Sequence, residues 1–367
     1  MALSHHLKGE PRTILYVAAR DDLYGVSRAL LGCARHLEDF GFRALLVTPR
    51  VGPLQSAAQR LGLGTHSWRG SGLRGWKLAA RGLLGGVGTA GWARRERVQL
   101  VAAASLSAFP SAFHLAEQLG VPAAVHLRNT YQSSGRTPPF GKYQAAQAQL
   151  VVAVSGAALA SYHQHPGGPR RGIERVVPDG IELITTLPRK EARVRLALGE
   201  AEVCLATIGA ISPEKGTLFA AEVAELVPGA RLLIAGTGSG EYVRKLGERA
   251  VVRLLGFDPA IRESLSAFDV ILHPSRGEAF GLAPLEAMAA GVPVIASNVG
   301  GLPEALGDGA VLLPPNDRDA WVAAVRRILA DEVFRSGLIA RGLAQAQRMS
   351  ARAAAERTAA AYRELLG

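Results

Sequence analysis

Cysteine is nearly absent from this chain: there are two in 367 residues, Cys33 and Cys204, each inside an apolar stretch. That argues against a disulfide framework and a cysteine-based metal site, and it leads to the expectation of a reducing compartment. Long hydrophobic runs are missing as well. The longest uncharged candidate, Val98 to Ala116, is rich in Ala and Ser and carries Pro110, so it reads as a strand followed by a helix rather than a membrane span. The first twelve residues, MALSHHLKGEPR, lack the apolar run and small-residue cleavage site of a secretory signal, and a cytoplasmic protein is expected. Low-complexity tracts and short-period repeats are also lacking. What remains is a chain that is 48% hydrophobic and 20% charged, too apolar for disorder and long enough for two domains with their own cores.

Acidic residues are scarce in one half only. Up to residue 185 there are 21 Lys and Arg against 10 Asp and Glu, and beyond it 21 against 21, so the whole excess of +11 lies in the N-terminal half. Arg69, Arg74, Lys77, Arg81, Arg94, Arg95 and Arg97 are opposed there only by Glu96 and interleaved with Trp68, Trp76 and Trp92. The mixture suits an anionic membrane surface. It equally suits a solvated arginine face whose tryptophans pack inward. Nucleic acid is not expected as a partner.

Short apolar runs alternate with amphipathic segments along the chain. Thr13 to Ala18, Arg43 to Thr48, Gln99 to Ala103, Ala123 to Leu127 and Leu150 to Val154 read as strands, the last followed by Ser155 as a helix N-cap. The alternation restarts with strands at Val203 to Gly209, Ala230 to Ala235, Val251 to Leu254, Val270 to His273 and Val292 to Ala296. Between them lie helices at Val26 to Phe40, Thr217 to Leu226, Glu241 to Leu246 and Leu282 to Ala290. Two helical stretches close the chain, Asp319 to Ala330 and Ala351 to Leu366. This is the pattern of α/β domains with parallel sheets covered by helices. Turn formers from Ser161 to Arg171, followed by Val176 to Gly180, place a domain boundary in this region. Ligands of open parallel sheets sit beyond the carboxyl ends of the strands, so a cleft between two such domains is the expected site.

The stretch Ser275 to Glu286 sets Glu278 and Glu286 eight positions apart across a turn containing Phe280, Gly281 and Leu282. Glu278 falls in the loop leaving a strand and Glu286 about one turn into a helix, so both can approach one elongated polar ligand. Amides at that helix start suit negative charge. After the strand ending near Gly209, Lys215 stands where an ammonium can neutralise phosphate as a point charge. Gly236, Gly238 and Gly240 follow the next strand and permit a tight turn, with no acidic residue at the dinucleotide spacing. His163 and His165 read as solvated residues rather than metal ligands, and no metal site is expected.

Together these residues carry a resemblance. From about Val176 to Pro314 the chain resembles a retaining glycosyltransferase of family 4 with the GT-B architecture: two Rossmann-like domains whose parallel sheets face an interdomain cleft. The matching features are Val177 to Ile181, Glu214-Lys215-Gly216, Ala235 to Gly238, His273-Pro274-Ser275 with the paired glutamates, Gly291 to Ile295 and Gly300 to Glu304. In the N-terminal half the likeness is looser: Tyr24-Gly25-Val26, Ala153-Val154-Ser155 and His126.

The resemblance implies domains at 1–182 and 183–350, with 351–367 a helix returning to the first, and hinges near 180–185 and 350. It implies a nucleotide-diphospho-sugar held mainly by the C-terminal domain, with no metal or other cofactor. Glu286 would bind the ribose hydroxyls, Glu278 the transferred sugar, and the amides of Phe280, Gly281 and Leu282 the sugar and diphosphate. Gly209, Gly236 and Gly238 would line the donor site, and Lys215 would offset leaving-group charge. Gly25 would let its loop approach the diphosphate, and His126 would contact the donor sugar. Tyr24 and Arg128 would face the acceptor, although Arg128 reads equally as a surface salt bridge.

Three departures stand out. Ala210 replaces a usual arginine, leaving Arg276 to reach the diphosphate or to be plain surface charge. The paired glycines near the first strand are reduced to Gly25. The family's Asn-Gly-Ile-Asp becomes Asp179-Gly180-Ile181-Glu182.

The reading is a retaining, metal-independent glycosyltransferase that passes a sugar to a hydroxyl in envelope polysaccharide, glycolipid or other glycoconjugate synthesis, peripheral at the inner face of the membrane through 68–97. Two rivals share the architecture: a nucleotide-sugar epimerase, and a donor-binding subunit with little turnover.

Overall fold

The computed structural model describes residues 10–68, 88–130, 146–164 and 172–367. Its contacts divide the chain into two units, one running to Gly180 and taking back Ala351–Gly367, the other Ile181–Ser350. In unit 1 the strands are β1 (Arg12–Val17), β2 (Phe42–Thr48), β3 (Gly64–Ser67), β4 (Val98–Ala103), β5 (Ala123–Leu127), β6 (Leu150–Ala153) and β7 (Ile173–Val176). They form a parallel sheet in the order β3-β2-β1-β4-β5-β6-β7. Strands buried on both faces read as unbroken apolar runs, and β1 shows why. Leu15 and Val17 enter one cluster with Phe109 and Leu115, while Ile14 and Tyr16 enter the other with Leu30, Phe42 and Tyr362.

Unit 2 repeats the plan with β8 (Val203–Ile208), β9 (Ala230–Ala235), β10 (Val252–Gly256), β11 (Val270–His273), β12 (Val294–Ser297) and β13 (Val311–Leu313). The order is β10-β9-β8-β11-β12-β13, again parallel, with Leu205 of β8 opposite Val270 of β11. Its core gathers Leu205, Leu232, Ile234, Leu272 and Ile295 under Val223 and the fully buried Trp321, whose Nε1–H donates to Pro314 O at 2.8 Å. Each unit is therefore a Rossmann-like doubly wound domain.

Ser155 caps helix Gly156–His163 by accepting from Ala158 N–H at 3.0 Å, as its position predicts. Other elements depart from expectation. Residues 161–163 complete that helix and β7 still belongs to unit 1, so the chain changes unit at Gly180, later than the turn-rich stretch and just before the expected 182. A third late helix, Glu332–Arg348, lies between the two expected ones, started by Asp331 accepting from Phe334 N–H. Its Gly342 hides it from a periodicity reading. A side chain built on the facing Gly309 would lie 2.9 Å from Gly342 Cα, so the two backbones pack in direct contact.

Helix Ala351–Leu366 packs in unit 1, where Tyr362 is fully buried and Thr358 Oγ1 lies 3.6 Å from Cys33 Sγ. Both cysteines are buried and free. Among the described residues no helix is long and apolar enough to cross a membrane. Most of the basic tryptophan-bearing stretch, residues 69–87, lies outside the described residues. Of the rest, Trp68 is buried in the unit 1 core and Trp92 packs against it, stacked on His66.

Candidate functional site

The strand order of unit 2 reverses between β8 and β11, and the loops leaving these two strands meet. Gly216, at φ +66°, passes so close that a side chain there would sit 2.1 Å from Pro274 O, and Arg276 N–H donates to Glu214 O at 2.8 Å. From the other side Gly300, at φ +56°, leaves no room for a side chain, which would lie 2.0 Å from Glu278 O. Gly301 N–H donates to the same oxygen at 2.9 Å. The Glu278 peptide is thus fixed between two loops. This crevice beyond the strand ends is where open α/β sheets place ligands.

Four polar side chains converge inside it. Lys215 Nζ lies 2.6 Å from Glu278 Oε2, and His273 Nε2 lies 3.2 Å from the same oxygen. Ser275 Oγ is 3.2 Å from that nitrogen, and Ala279 N–H donates to Glu278 Oε1. Burial pushes the Glu278 carboxyl up, but the His273 hydrogen bond and the Lys215 ammonium outweigh it and hold the group down at about 2. The carboxylate is therefore ionised throughout the working pH range. Phe280 is buried beside it, and Gly281, at φ +110°, starts helix Leu282–Ala289 without a side-chain cap for the first-turn amides.

On that helix Glu286 is buried, with Arg262 Nε 3.2 Å from its Oε1; Arg262 Nη2 also donates to Glu182 O at 3.3 Å. The loop after β9 lies alongside the β8 loop through backbone bonds: Gly209 N–H to Ala235 O, Ile211 N–H to Thr237 O and, one strand over, Gly236 N–H to Gly256 O. Gly238 packs on Ile211 O. Lys215, Glu278, Phe280, Gly281 and Leu282 are thus brought together, with Gly209, Gly236 and Gly238 forming the neighbouring turns.

Arg276 does not join this cluster. Its side chain is exposed and lines a recess of about 590 Å³ with Pro213, Phe219, Tyr242 and Arg318, whose walls include neither Lys215 nor Glu278.

In unit 1, Tyr24 is 53% exposed and precedes Gly25, the first residue of helix Gly25–His36, in the loop after β1. Two other expectations need correction. His126 is 2% exposed, on β5, with Nε2 2.8 Å from Tyr362 Oη, which in turn donates to Tyr16 Oη at 2.9 Å. It is a core residue rather than a sugar contact; burial and the nearby Arg128 charge keep it well below the usual histidine range, hence neutral. Arg128 is also buried, and it donates to both oxygens of Asp179 at 2.9 to 3.1 Å and to Ala104 O. Neither an acceptor contact nor a surface bridge describes it. The Asp at 179 in place of the family's Asn now has a cause: its charge answers Arg128.

His273 was legible only as part of a motif and Arg262 not at all. The one signal for Arg262 was the requirement that a buried carboxylate have a partner.

Comparison with known proteins agrees with this geometry. The profile of the Glycosyltransferase Family 4 matches residues 24–183 and that of the Glycosyl transferases group 1 matches 188–349. The chain belongs to glycosyltransferase family 4. Across the family, a D-inositol 3-phosphate glycosyltransferase of Segniliparus rotundus is 32% identical over 282 residues, covering 68% of this chain and 62% of the relative. The chain spans between about two fifths and three fifths of the length of the curated relatives it matches. Among solved structures, the Anabaena protein HepE in complex with UDP and glucose superposes at a TM-score of 0.81 with 21% identity, over 96% of this chain and all of that one. Sucrose-phosphate synthase from Thermosynechococcus elongatus gives 0.77 with 23% identity, over 96% and 99%. At these identities the structures establish the fold, which is of the GT-B type.

Proposed function

We propose that the chain is a retaining glycosyltransferase that takes its sugar from a nucleotide-diphospho-sugar bound on unit 2 and passes it to a hydroxyl acceptor. The observation that carries this reading is the Lys215–Glu278–His273 cluster at the reversal of the unit 2 sheet, with Glu286 on the adjoining helix. Glu286 would take the ribose hydroxyls and Glu278 the hydroxyls of the transferred sugar. The amides around Phe280, Gly281 and Leu282 would meet the sugar and diphosphate, and Gly25, with Tyr24 beside it, would serve from unit 1. The HepE complexes with UDP and UDP-glucose support a uridine donor as the first to test.

In the reaction the bond from the anomeric carbon to the diphosphate oxygen breaks and a bond to the acceptor oxygen forms on the same face. The acceptor proton passes to the departing phosphate oxygen. Lys215 stabilises the charge that builds on the leaving group, a preorganised cation where negative charge develops, and no metal enters this scheme. Glu278 is not a nucleophile in this scheme, because attack and departure share one face of the sugar and no covalent enzyme intermediate forms.

The relatives' name makes D-inositol 3-phosphate the first acceptor to try, beside lipid-linked and polysaccharide hydroxyls. Incubation with UDP-glucose and each acceptor, followed by NMR of the new linkage, is expected to give an axial product from the axial donor. An equatorial product contradicts retention. Epimerised donor with no transfer contradicts the whole reading. A place at the inner membrane face is part of the proposal, and anionic liposomes at low salt test it: failure to retain the protein there removes it.

A further inference from the structure

Two nitrogen donors meet one carboxylate oxygen in this site, and they differ in how freely each can turn to an arriving diphosphate. Lys215 Nζ and His273 Nε2 both meet Glu278 Oε2, at 2.6 and 3.2 Å. Lys215 sits on a loop with a flexible four-carbon stem and is partly exposed, 30% at its side chain. His273 is different. It is the last residue of β11, its side chain is 9% exposed, and its backbone pairs with Ala296 of β12. An ammonium on a loose stem can turn to a phosphate; an imidazole locked at a strand end cannot.

We infer that His273 is the positioning residue for Glu278: it keeps the carboxylate aimed at the transferred sugar after Lys215 has turned to the diphosphate. The tautomer follows from chemistry. An ionised carboxylate only accepts, so Nε2 must carry the hydrogen that Glu278 Oε2 receives, and Ser275 Oγ lies 3.2 Å from the same nitrogen. The contact exists with neutral imidazole and with imidazolium alike. Ala210 sharpens the requirement, since a site without the family's usual arginine has Lys215 as the ammonium for the diphosphate, and each Lys215 donor turned to the diphosphate is lost to Glu278.

This inference rests on the assignment of Glu278 to the sugar. It separates two quantities that a merely structural histidine would move together: affinity for the nucleoside diphosphate and the added affinity from the sugar. The test is isothermal titration of UDP and UDP-glucose, or the matching pair for whichever nucleoside binds, into the full chain and into His273→Leu and His273→Gln. In the Leu variant UDP affinity is expected within about twofold of the parent, while UDP-glucose affinity falls by roughly tenfold or more, the loss of one hydrogen bond to a charged group. Gln, which donates without titrating, is expected to recover most of it. Equal affinities for both ligands in all three proteins overturn the inference. So does an equal loss for UDP and UDP-glucose in the Leu variant, which would place His273 on the phosphate. If the Leu variant fails to fold, the Gln variant and Ser275→Ala carry the same comparison, with unchanged UDP-glucose preference in Gln and at most a small loss in Ala expected. A parent protein that binds no nucleotide overturns the donor reading and this inference with it.

Discussion

A carboxylate buried beside an ammonium and an imidazole is a different reagent from one in water. Glu278 has its carboxyl held at about 2 against an ordinary value of 4.5, so it contributes stability that is fully present above about 4.5 and is lost as pH falls through that value toward 2. Glu278→Gln is expected to flatten the fall in melting temperature of unit 2 across this window, read by thermal scans in steps of pH. Lys215→Ala leaves Glu278 Oε2 with His273 alone and is expected to lose about 1 to 3 kcal/mol of stability, the range for a charged hydrogen bond partly screened by solvent. His126 works in the opposite compartment of the scale. Its folded pKa lies well below 6.5, so the unfolded chain binds a proton that the folded chain refuses, and unit 1 loses stability as pH falls below 6.5. His126→Asn, which can still bond Tyr362, should make unit 1 less sensitive to acid between neutrality and pH 5. An unchanged slope would contradict the buried neutral assignment.

Among elements, the ion pair that joins the end of β5 to the segment after β7 bears most on how unit 1 closes. Arg128 and Asp179 are both buried, and removing one partner leaves the other charged and desolvated. Arg128→Ala is expected to cost about 3 to 5 kcal/mol, whereas Arg128→Leu with Asp179→Asn together should cost much less than the two singly, measured by denaturant unfolding. The pair also shows where sequence reading stops. Strands buried on both faces announced themselves as apolar runs, so the central strands were legible almost to the residue. The edge strands β3, β7 and β13 were not, since three or four half-exposed residues such as Gly64–Ser67 carry no pattern. Glu278, Glu286 and Lys215 were visible because each sits in a short motif at a strand end. Their partners were invisible for a physical reason: Lys215 finds Glu278 across 63 positions, Arg128 finds Asp179 across 51, and His126 finds Tyr362 across 236. Local pattern holds no information on such pairings; only the sheet order creates them.

At the scale of the whole molecule, the chain leaves unit 1 at Gly180 and returns to it at Ala351. Unit 1 is therefore incomplete without its final helix, whose Tyr362, Thr358, Ala355 and Ala359 lie against Tyr16, Cys33, Leu30 and Phe42. Deleting 351–367 uncovers that face of the sheet, and the expected outcome is loss of the unit 1 unfolding transition with the unit 2 transition retained in calorimetry. Two intact transitions would contradict the assignment of the helix. The central claim, a nucleotide-sugar donor site on unit 2, is tested most directly by thermal stabilisation with UDP, GDP, ADP, TDP and CMP, comparing the parent with Lys215→Ala and Glu286→Ala. A ligand that binds only the folded state at a hundred times its Kd stabilises it by about 2.7 kcal/mol. A selective shift from one nucleoside diphosphate, reduced in both variants, is the result this account predicts; no shift from any of the five, or one that both variants keep in full, would contradict it.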